Sequence, residues 1–198
     1  LINDKFTFDA RLSRIKSDGF IDRAASNLKS YFISGAYHGK TDLLRINVFS
    51  GSEKTYQAWN GIPEARLKGD VTGMNAYIDR NALNPADAAN LLNSRSRTYN
   101  SFTYKEQTDN YWQDHYQMLY AKQFSDNFSF NGAIHYTKGK GYYEEFKEAQ
   151  KLTNYGLQPV VIGNTTITRT DLVRRRWLDN DFYGFTYALT YKPEKKLH

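Results

Sequence analysis

The 198-residue sequence contains no cysteine, few prolines and no long apolar run. Without cysteine, the chain has neither a disulfide framework nor a thiolate metal site. No stretch approaches the roughly 20 apolar residues that a membrane-spanning helix requires, and the mean hydropathy of -0.72 is polar. A transmembrane strand escapes this test, because only every second side chain faces lipid.

Apolar residues instead alternate with small or polar ones. From Tyr183 to Tyr191, every second residue is aromatic or leucine, and the residues between are Gly, Thr or Ala. Side chains alternate across a strand, so this pattern predicts strands with one apolar face. Its richness in tyrosine is typical of a lipid-facing strand near the headgroups. Similar patterns predict an all-β antiparallel meander of about six strands, near residues 5–15, 28–38, 43–59, 111–123, 127–146 and 181–191.

The predicted connections alternate in length. Short turns are expected near Gly39–Asp42 and Ser125–Asn127, whereas residues 16–27, 60–110 and 147–180 form long loops. Transmembrane β-barrels have short turns on one side and long loops on the other, and soluble domains rarely carry such loops. We therefore predict a section of a transmembrane β-barrel. Six strands are too few to close one, so two open edges are expected.

Two of the long loops contain local order of their own. Asn84 is a good helix cap and Pro85 suits a first helical position, which predicts a short helix near 84–93. The Val-, Ile- and Thr-rich stretch 158–170 predicts a small hairpin that turns at Gly163-Asn164.

Several stretches resemble the barrel of TonB-dependent outer-membrane receptors of Bacteroidetes-type bacteria. They are Asp18–Ala24 with Leu28–Phe32, Glu53–Pro63, Thr108–Tyr111 with Asp114–Gln117, and His135–Glu144. The resemblance implies a 22-stranded barrel in the outer membrane, filled by an N-terminal plug and energised by the TonB complex. This chain would be a middle section of the barrel without the plug. A segment such as Lys196–His198 would then lead into the next strand, and the start at Leu1 is expected to mark a partial or processed chain.

That resemblance implies binding and import of a scarce nutrient, such as an iron chelate or a vitamin-like ligand. Lipid, lipopolysaccharide, the plug and the TonB complex would be its partners. No enzyme is expected, since the sequence has no G-x-S-x-G, H-E-x-x-H or phosphate-loop motif. No cofactor and no metal are expected either. Gln113 or His115 should lie roughly opposite His135 on the inner face. The two histidines would be wall residues, or metal ligands for which no third partner is obvious.

Candidate ligand-binding residues are aromatic or basic and lie near strand ends or in long loops. They are Tyr56, Trp59, Tyr142, Tyr143, Arg174, Arg175 and Trp177. The aromatics suit stacking on a chelate or sugar, or an outer aromatic girdle. The arginines suit a solvated loop flank, or contact to phosphates of lipopolysaccharide or to an anionic ligand. Nucleic acid is not expected, because basic residues are spread over the chain.

Two other classes of protein remain open at this point. One is a soluble β-sandwich module that binds carbohydrate on an aromatic platform, which requires two apolar faces packed together. The other is an aromatic-rich adhesion or assembly module. Dependence on detergent separates the lipid-facing hypothesis from both.

Overall fold

A computed structural model of the chain describes residues 3–193 and confirms the antiparallel meander. Six strands form one sheet in the order β1-β2-β3-β4-β5-β8, and β6 pairs with β7 in a separate hairpin. The strands are β1 (Phe6–Ser17), β2 (Ser26–His38), β3 (Asp42–Tyr56), β4 (Thr108–Ser125), β5 (Phe128–Lys151), β6 (Val160–Ile162), β7 (Thr165–Ile167) and β8 (Arg169–Tyr191). The hairpin turns at Gly163-Asn164, as predicted. The segment Lys196–His198 lies outside the described residues.

The two longest strands extend well past their predicted ends. β8 begins at Arg169 rather than near 181, and β5 reaches Lys151 rather than 146. The predicted loop 147–180 was therefore wrong for half of its length. The reason is chemical: this part of the ladder pairs Glu144 with Arg175 and Glu145 with Arg174, so charge replaces the apolar alternation by which strands are recognised. β3 ends at Tyr56 rather than 59, and the first long loop shortens to 18–25.

The long connection 57–107 contains three helices. They are α1 (Glu64–Lys68), α2 (Val71–Asn81) and α3 (Pro85–Asn93). α3 confirms the predicted helix, with the Asn84 side chain accepting a 2.8 Å hydrogen bond from the Asp87 N–H. α2 was not predicted, although Asp70 caps it in the same way by accepting from the Gly73 N–H at 2.9 Å. The helices share a small core of Met74, Leu91 and Tyr99.

One face of the six-stranded sheet is apolar across its whole width. The strand registers place its side chains in rows, for example Phe8, Gly35, Ile46, Met118, Ile134 and Phe185. These side chains are largely exposed, and Phe185 keeps 71% of its surface accessible. We call this surface the apolar belt and its side of the sheet the outer face.

Charged residues end the apolar belt on one side. On β4, β5 and β8, the next rows of the outer face hold Asp114, Lys138, Lys140, Asp179 and Asp181. The Lys138 Nζ lies 2.6 Å from Asp179 Oδ1 and 2.9 Å from Asp181 Oδ2. The Tyr136 hydroxyl donates to Asp181 at 2.6 Å. A lysine flanked by aspartates and a tyrosine hydroxyl is a polar border, so the belt has a defined edge.

The inner face carries a polar network. The Ser34 hydroxyl donates to Asn47 Oδ1 at 2.8 Å, and the Asn47 amide donates to Gln117 Oε1 at 3.1 Å. His115 stacks on Phe49 at 4.4 Å between ring centroids and hydrogen-bonds Thr137. The register sets His135 opposite Gln117, and neither Gln113 nor His115, so the predicted register of β4 with β5 was wrong.

The described residues contain no second sheet over the apolar belt. A β-sandwich requires such a sheet, because its core is the contact between two apolar faces. That expectation for a soluble module therefore does not fit residues 3–193. Within the same range, no helix is both long and apolar enough to cross a membrane, and no cluster of three metal-binding side chains occurs.

Candidate ligand-binding surface

The predicted site residues gather beyond the charged border, at the end of the sheet opposite the short turns. Because alternate side chains of a strand face opposite sides, predicted residues that are adjacent in sequence lie on opposite faces of the sheet. On β5 and β8, Tyr142, Arg175 and Trp177 lie on the outer face, whereas Tyr143 and Arg174 lie on the inner face. The seven residues therefore do not form a single site.

The inner-face residues belong to an aromatic cluster with one cation. The Trp59 ring meets the Tyr143 ring edge-on at 5.7 Å between centroids, and Phe102 lies 6.2 Å away on the same indole. The Arg176 guanidinium lies 5.3 Å from the Tyr143 ring centre. Trp59 keeps 62% of its surface exposed. This inner aromatic cluster, made of Trp59, Phe102, Tyr143 and Arg176, presents flat apolar surface beside positive charge.

The outer-face residues instead contact one another. The Tyr142 and Trp177 rings lie 4.7 Å apart across the β5–β8 pair. The Arg175 guanidinium covers Tyr142 at 4.6 Å, and its Nε donates to Glu144 at 2.6 Å. These contacts bind the two long strands to each other, and the aromatic side chains continue the outer face beyond the charged border. The aromatic girdle that the sequence left as an alternative requires this outer-face position, and it stays a prediction.

Tyr56 is fixed by a structural hydrogen bond. Its hydroxyl points at the carbonyl oxygens of Tyr104 and Phe102, at 2.7 and 3.0 Å. Burial raises the pKa of Tyr56, and the nearby Arg23 opposes that rise. The hydroxyl therefore stays protonated and donates to the loop, which leaves it no free donor for a ligand.

Asn100 secures the same loop from within. It is 1% exposed, and its side-chain amide donates to the carbonyls of Asp22 and Gln57, both at 3.0 Å. Its Oδ1 accepts from the Phe102 N–H at 3.1 Å. One buried side chain thus joins the first long loop, the end of β3 and the segment that carries Phe102. Phe102 and Trp59 are positioned by this link.

Two of the three consecutive arginines are neutralised. Arg174 Nε donates to Glu145 at 2.7 Å, and Lys147 lies 2.9 Å from the same carboxylate. Burial raises the pKa of Glu145, but the hydrogen bonds from Lys147 and Arg174 outweigh it and leave the pKa lowered. For Glu144, hydrogen bonds from Arg175 and Tyr104 likewise outweigh burial and lower the pKa. Both carboxylates are therefore charged at neutral pH, and Arg174 and Arg175 offer little free charge to a ligand.

Sequence reasoning missed two members of the inner aromatic cluster. Arg176 belonged to the basic run but was not singled out, although it shares the inner face with Arg174 and forms no ion pair with an acid within residues 3–193. Its position two residues after Arg174 on a strand was the available signal. Phe102 had no such signal, because the fold of the connection brings it to Trp59.

Comparison with known proteins finds a similar fold in two solved receptor structures. No family model matches the chain, and no curated protein matches it. Among solved structures, the closed form of the ferric-catecholate import receptor Fiu from E. coli K12 superposes with a TM-score of 0.60 at 18% identity. The alignment covers 96% of this chain and 25% of that receptor. The open form of Fiu gives a TM-score of 0.60 at 16% identity, over 96% and 27% of the two chains.

The six-stranded sheet thus has the fold of one section of these receptor structures. The chain spans about a quarter of the length of the Fiu structures that it resembles. The particular structures are import receptors, so the resemblance is to transport proteins and not to enzymes. At these identities the likeness concerns the fold.

Proposed function

We propose that this chain forms part of the barrel wall of an outer-membrane receptor that captures a small nutrient and imports it with energy from the TonB complex. The inner aromatic cluster would contact the ligand on its way into the barrel. The outer face would meet lipid and lipopolysaccharide. The reaction is binding and gated passage, with no bond made or broken by this chain.

The observation that carries the proposal is the uncovered apolar belt. It runs unbroken across six strands, ends at a charged border, and has a polar network behind it. In water, an apolar surface of this extent promotes association. In a bilayer it is the required surface of a barrel, with the polar side facing the lumen. Membrane placement therefore accounts for both faces at once.

The chemistry of the inner aromatic cluster supports an anionic ligand with flat rings. Trp59 and Tyr143 offer faces and edges for stacking, and Arg176 adds a cation that no acid within residues 3–193 neutralises. A ferric catecholate combines flat rings with negative charge. Two solved structures with this fold are ferric-catecholate import receptors by name, so we propose a catecholate-type iron chelate as the ligand class. A Bacteroidetes-type origin stays a prediction from the sequence resemblance.

The test uses the intact protein and a ferric catechol complex. Trp59→Ala combined with Arg176→Gln should weaken binding about 10-fold, since each aromatic contact contributes roughly 0.5–1.5 kcal/mol and the cation adds a similar amount. The matched control is Trp177→Ala, which removes an indole of the outer face. Binding measured by fluorescence quenching should not change in this control.

Energy coupling is tested separately from binding. Dissipating the proton-motive force of the inner membrane should abolish uptake of radioactive iron while leaving binding at the cell surface intact. Equal losses of binding in the inner-face and outer-face variants would refute the assignment of the inner aromatic cluster. Uptake that survives without the proton-motive force would refute TonB coupling.

A further inference from the structure

Two positive charges lie directly opposite each other on the outer face of β1 and β2. The register pairs Arg14 with Lys29, one row beyond the last apolar pair, Leu12 with Tyr31. Like charges in facing positions destabilise a strand pair. Neither Arg14 nor Lys29 forms an ion pair with an acid within residues 3–193. Their pairing lacks a counter-charge from the described part of this chain.

The other half of the same sheet shows the contrast. In the row that holds Arg14 and Lys29, Lys140 lies opposite Asp179, and in the next row towards the apolar belt Lys138 lies opposite Asp181. These aspartates neutralise both lysines. Acids thus balance the border on β5 and β8, whereas the border on β1 and β2 keeps an excess of positive charge. The excess therefore lies on one side of the sheet only.

The positive surface continues into a pocket. The next row of the outer face holds Lys16, Asn27 and Lys54, and these residues line a pocket of about 490 Å³ together with Arg23 and Lys105. Its acidic lining residue is Glu106, which lies 2.8 Å from the Lys54 Nζ. Four basic side chains therefore face one acidic one. The pocket is an anion-attracting cavity beside the Arg14–Lys29 pair.

One atom at the pocket indicates more than a bare anion. The Asn27 Oδ1 is buried and has no hydrogen-bond partner within the described chain. An amide oxygen repels phosphate oxygens but accepts a hydrogen bond from a hydroxyl group. A group that carries both phosphate and hydroxyls, as a phosphorylated sugar does, would satisfy the cations and this oxygen together.

The height of the surface agrees with a lipid headgroup. A two-residue step along a strand is about 7 Å, so Arg14 and Lys29 lie about that far above the last apolar pair. The headgroup region of a bilayer is roughly 5–8 Å thick on each side of the hydrocarbon. The positive surface therefore occupies the level of lipid phosphates if the apolar belt occupies the hydrocarbon.

We propose that Arg14, Lys29 and the pocket lined by Lys16, Lys54 and Lys105 form a binding site for the phosphorylated sugar headgroup of an outer-leaflet glycolipid. The inference rests on the proposed membrane placement and goes beyond it by assigning one segment of the outer face to one lipid. Phosphate groups would lie between Arg14 and Lys29 and neutralise both. Sugar hydroxyls would donate hydrogen bonds to the Asn27 Oδ1.

The test compares charge removal on the two faces of the same sheet. The intact protein is placed in phosphatidylcholine vesicles that contain lipopolysaccharide, extracted with mild detergent, and its bound lipid is counted by native mass spectrometry. The variant Arg14→Gln/Lys29→Gln should retain about one fifth of the wild-type amount of lipopolysaccharide, or less, because charge-assisted contacts to phosphate are lost. The control Arg11→Gln/Arg45→Gln removes the same charge from the inner face and should retain the wild-type amount.

A second arm identifies the recognised group. Dephosphorylated lipopolysaccharide should bind the wild-type protein as weakly as the phosphorylated form binds the outer-face variant. Equal retention by wild type and outer-face variant, or undiminished binding of the dephosphorylated lipid, would overturn the proposal. Failure of the membrane placement itself would appear differently, as a protein that does not insert into the vesicles at all.

Discussion

Phe185 and Thr186 are neighbours on β8 that face opposite sides of the sheet, and they offer the sharpest test of membrane placement. Phe185 lies in the apolar belt, opposite Ile134 of β5. Phe185→Arg should destabilise the membrane-inserted protein by about 2–5 kcal/mol, from roughly 1–3 for an arginine at this depth and 1–2 for the lost phenylalanine contact. The folded-to-unfolded ratio would then fall by more than about 30-fold.

The matched change Thr186→Arg places the same side chain on the inner face, where water and polar groups accommodate it. Its expected cost is below about 1 kcal/mol. Both variants are measured in the intact protein by reversible guanidinium unfolding in vesicles, followed by tryptophan fluorescence. If the two arginines cost the same, the outer face does not meet hydrocarbon and the proposed placement is wrong.

Three further outcomes are expected. The pKa of both Glu144 and Glu145 lies below the ordinary glutamate value of 4.5. Their ionised forms therefore stabilise the β5–β8 extension at neutral pH. That stabilisation is lost as the pH falls through the lowered pKa values. The melting temperature should therefore drop below about pH 4.5, and Glu144→Gln/Glu145→Gln should flatten this dependence; an unchanged pH profile would contradict the ion-pair assignment. Leu91→Ala should open a cavity in the helical connection at a cost of about 2–5 kcal/mol, since Leu91 is fully buried, whereas Leu67→Ala at a half-exposed position should cost much less; hydrogen exchange across residues 64–93 compares the two. Asn100→Ala should raise hydrogen exchange across residues 57–107 while leaving that of β4 unchanged, and uniform protection would show that the Asn100 amide does not hold the loop.

The alternation from Tyr183 to Tyr191 was enough to predict the C-terminal half of β8, because every second side chain there belongs to the apolar belt. The N-terminal half of β8 was not predicted. Beyond the charged border the side chains no longer alternate between apolar and polar, and Arg174 and Arg175 are held in the strand by Glu145 and Glu144. Strands maintained by cross-strand charge carry no apolar period, so a sequence pattern does not reveal them.

The helical connection and the site show the same limit. Asn84 and Pro85 predicted α3, whereas α2 begins with Val71, Thr72 and Gly73, which are weak helix formers. The aromatic and basic candidates were found by residue type. Their division between two faces depends on the register of β5 with β8, and the meeting of Trp59 with Phe102 depends on the fold of the connection.

The link made by Asn100 has a thermodynamic consequence for capture. Because this buried amide and the Tyr56 hydroxyl already hold the segment that bears Phe102, the proposed ligand would find its contact surface at Trp59 already assembled. Its binding would then carry no large cost for ordering a long loop. Calorimetry should show the small heat-capacity change of binding to a preformed surface. A segment that folds on binding would give a larger heat-capacity change.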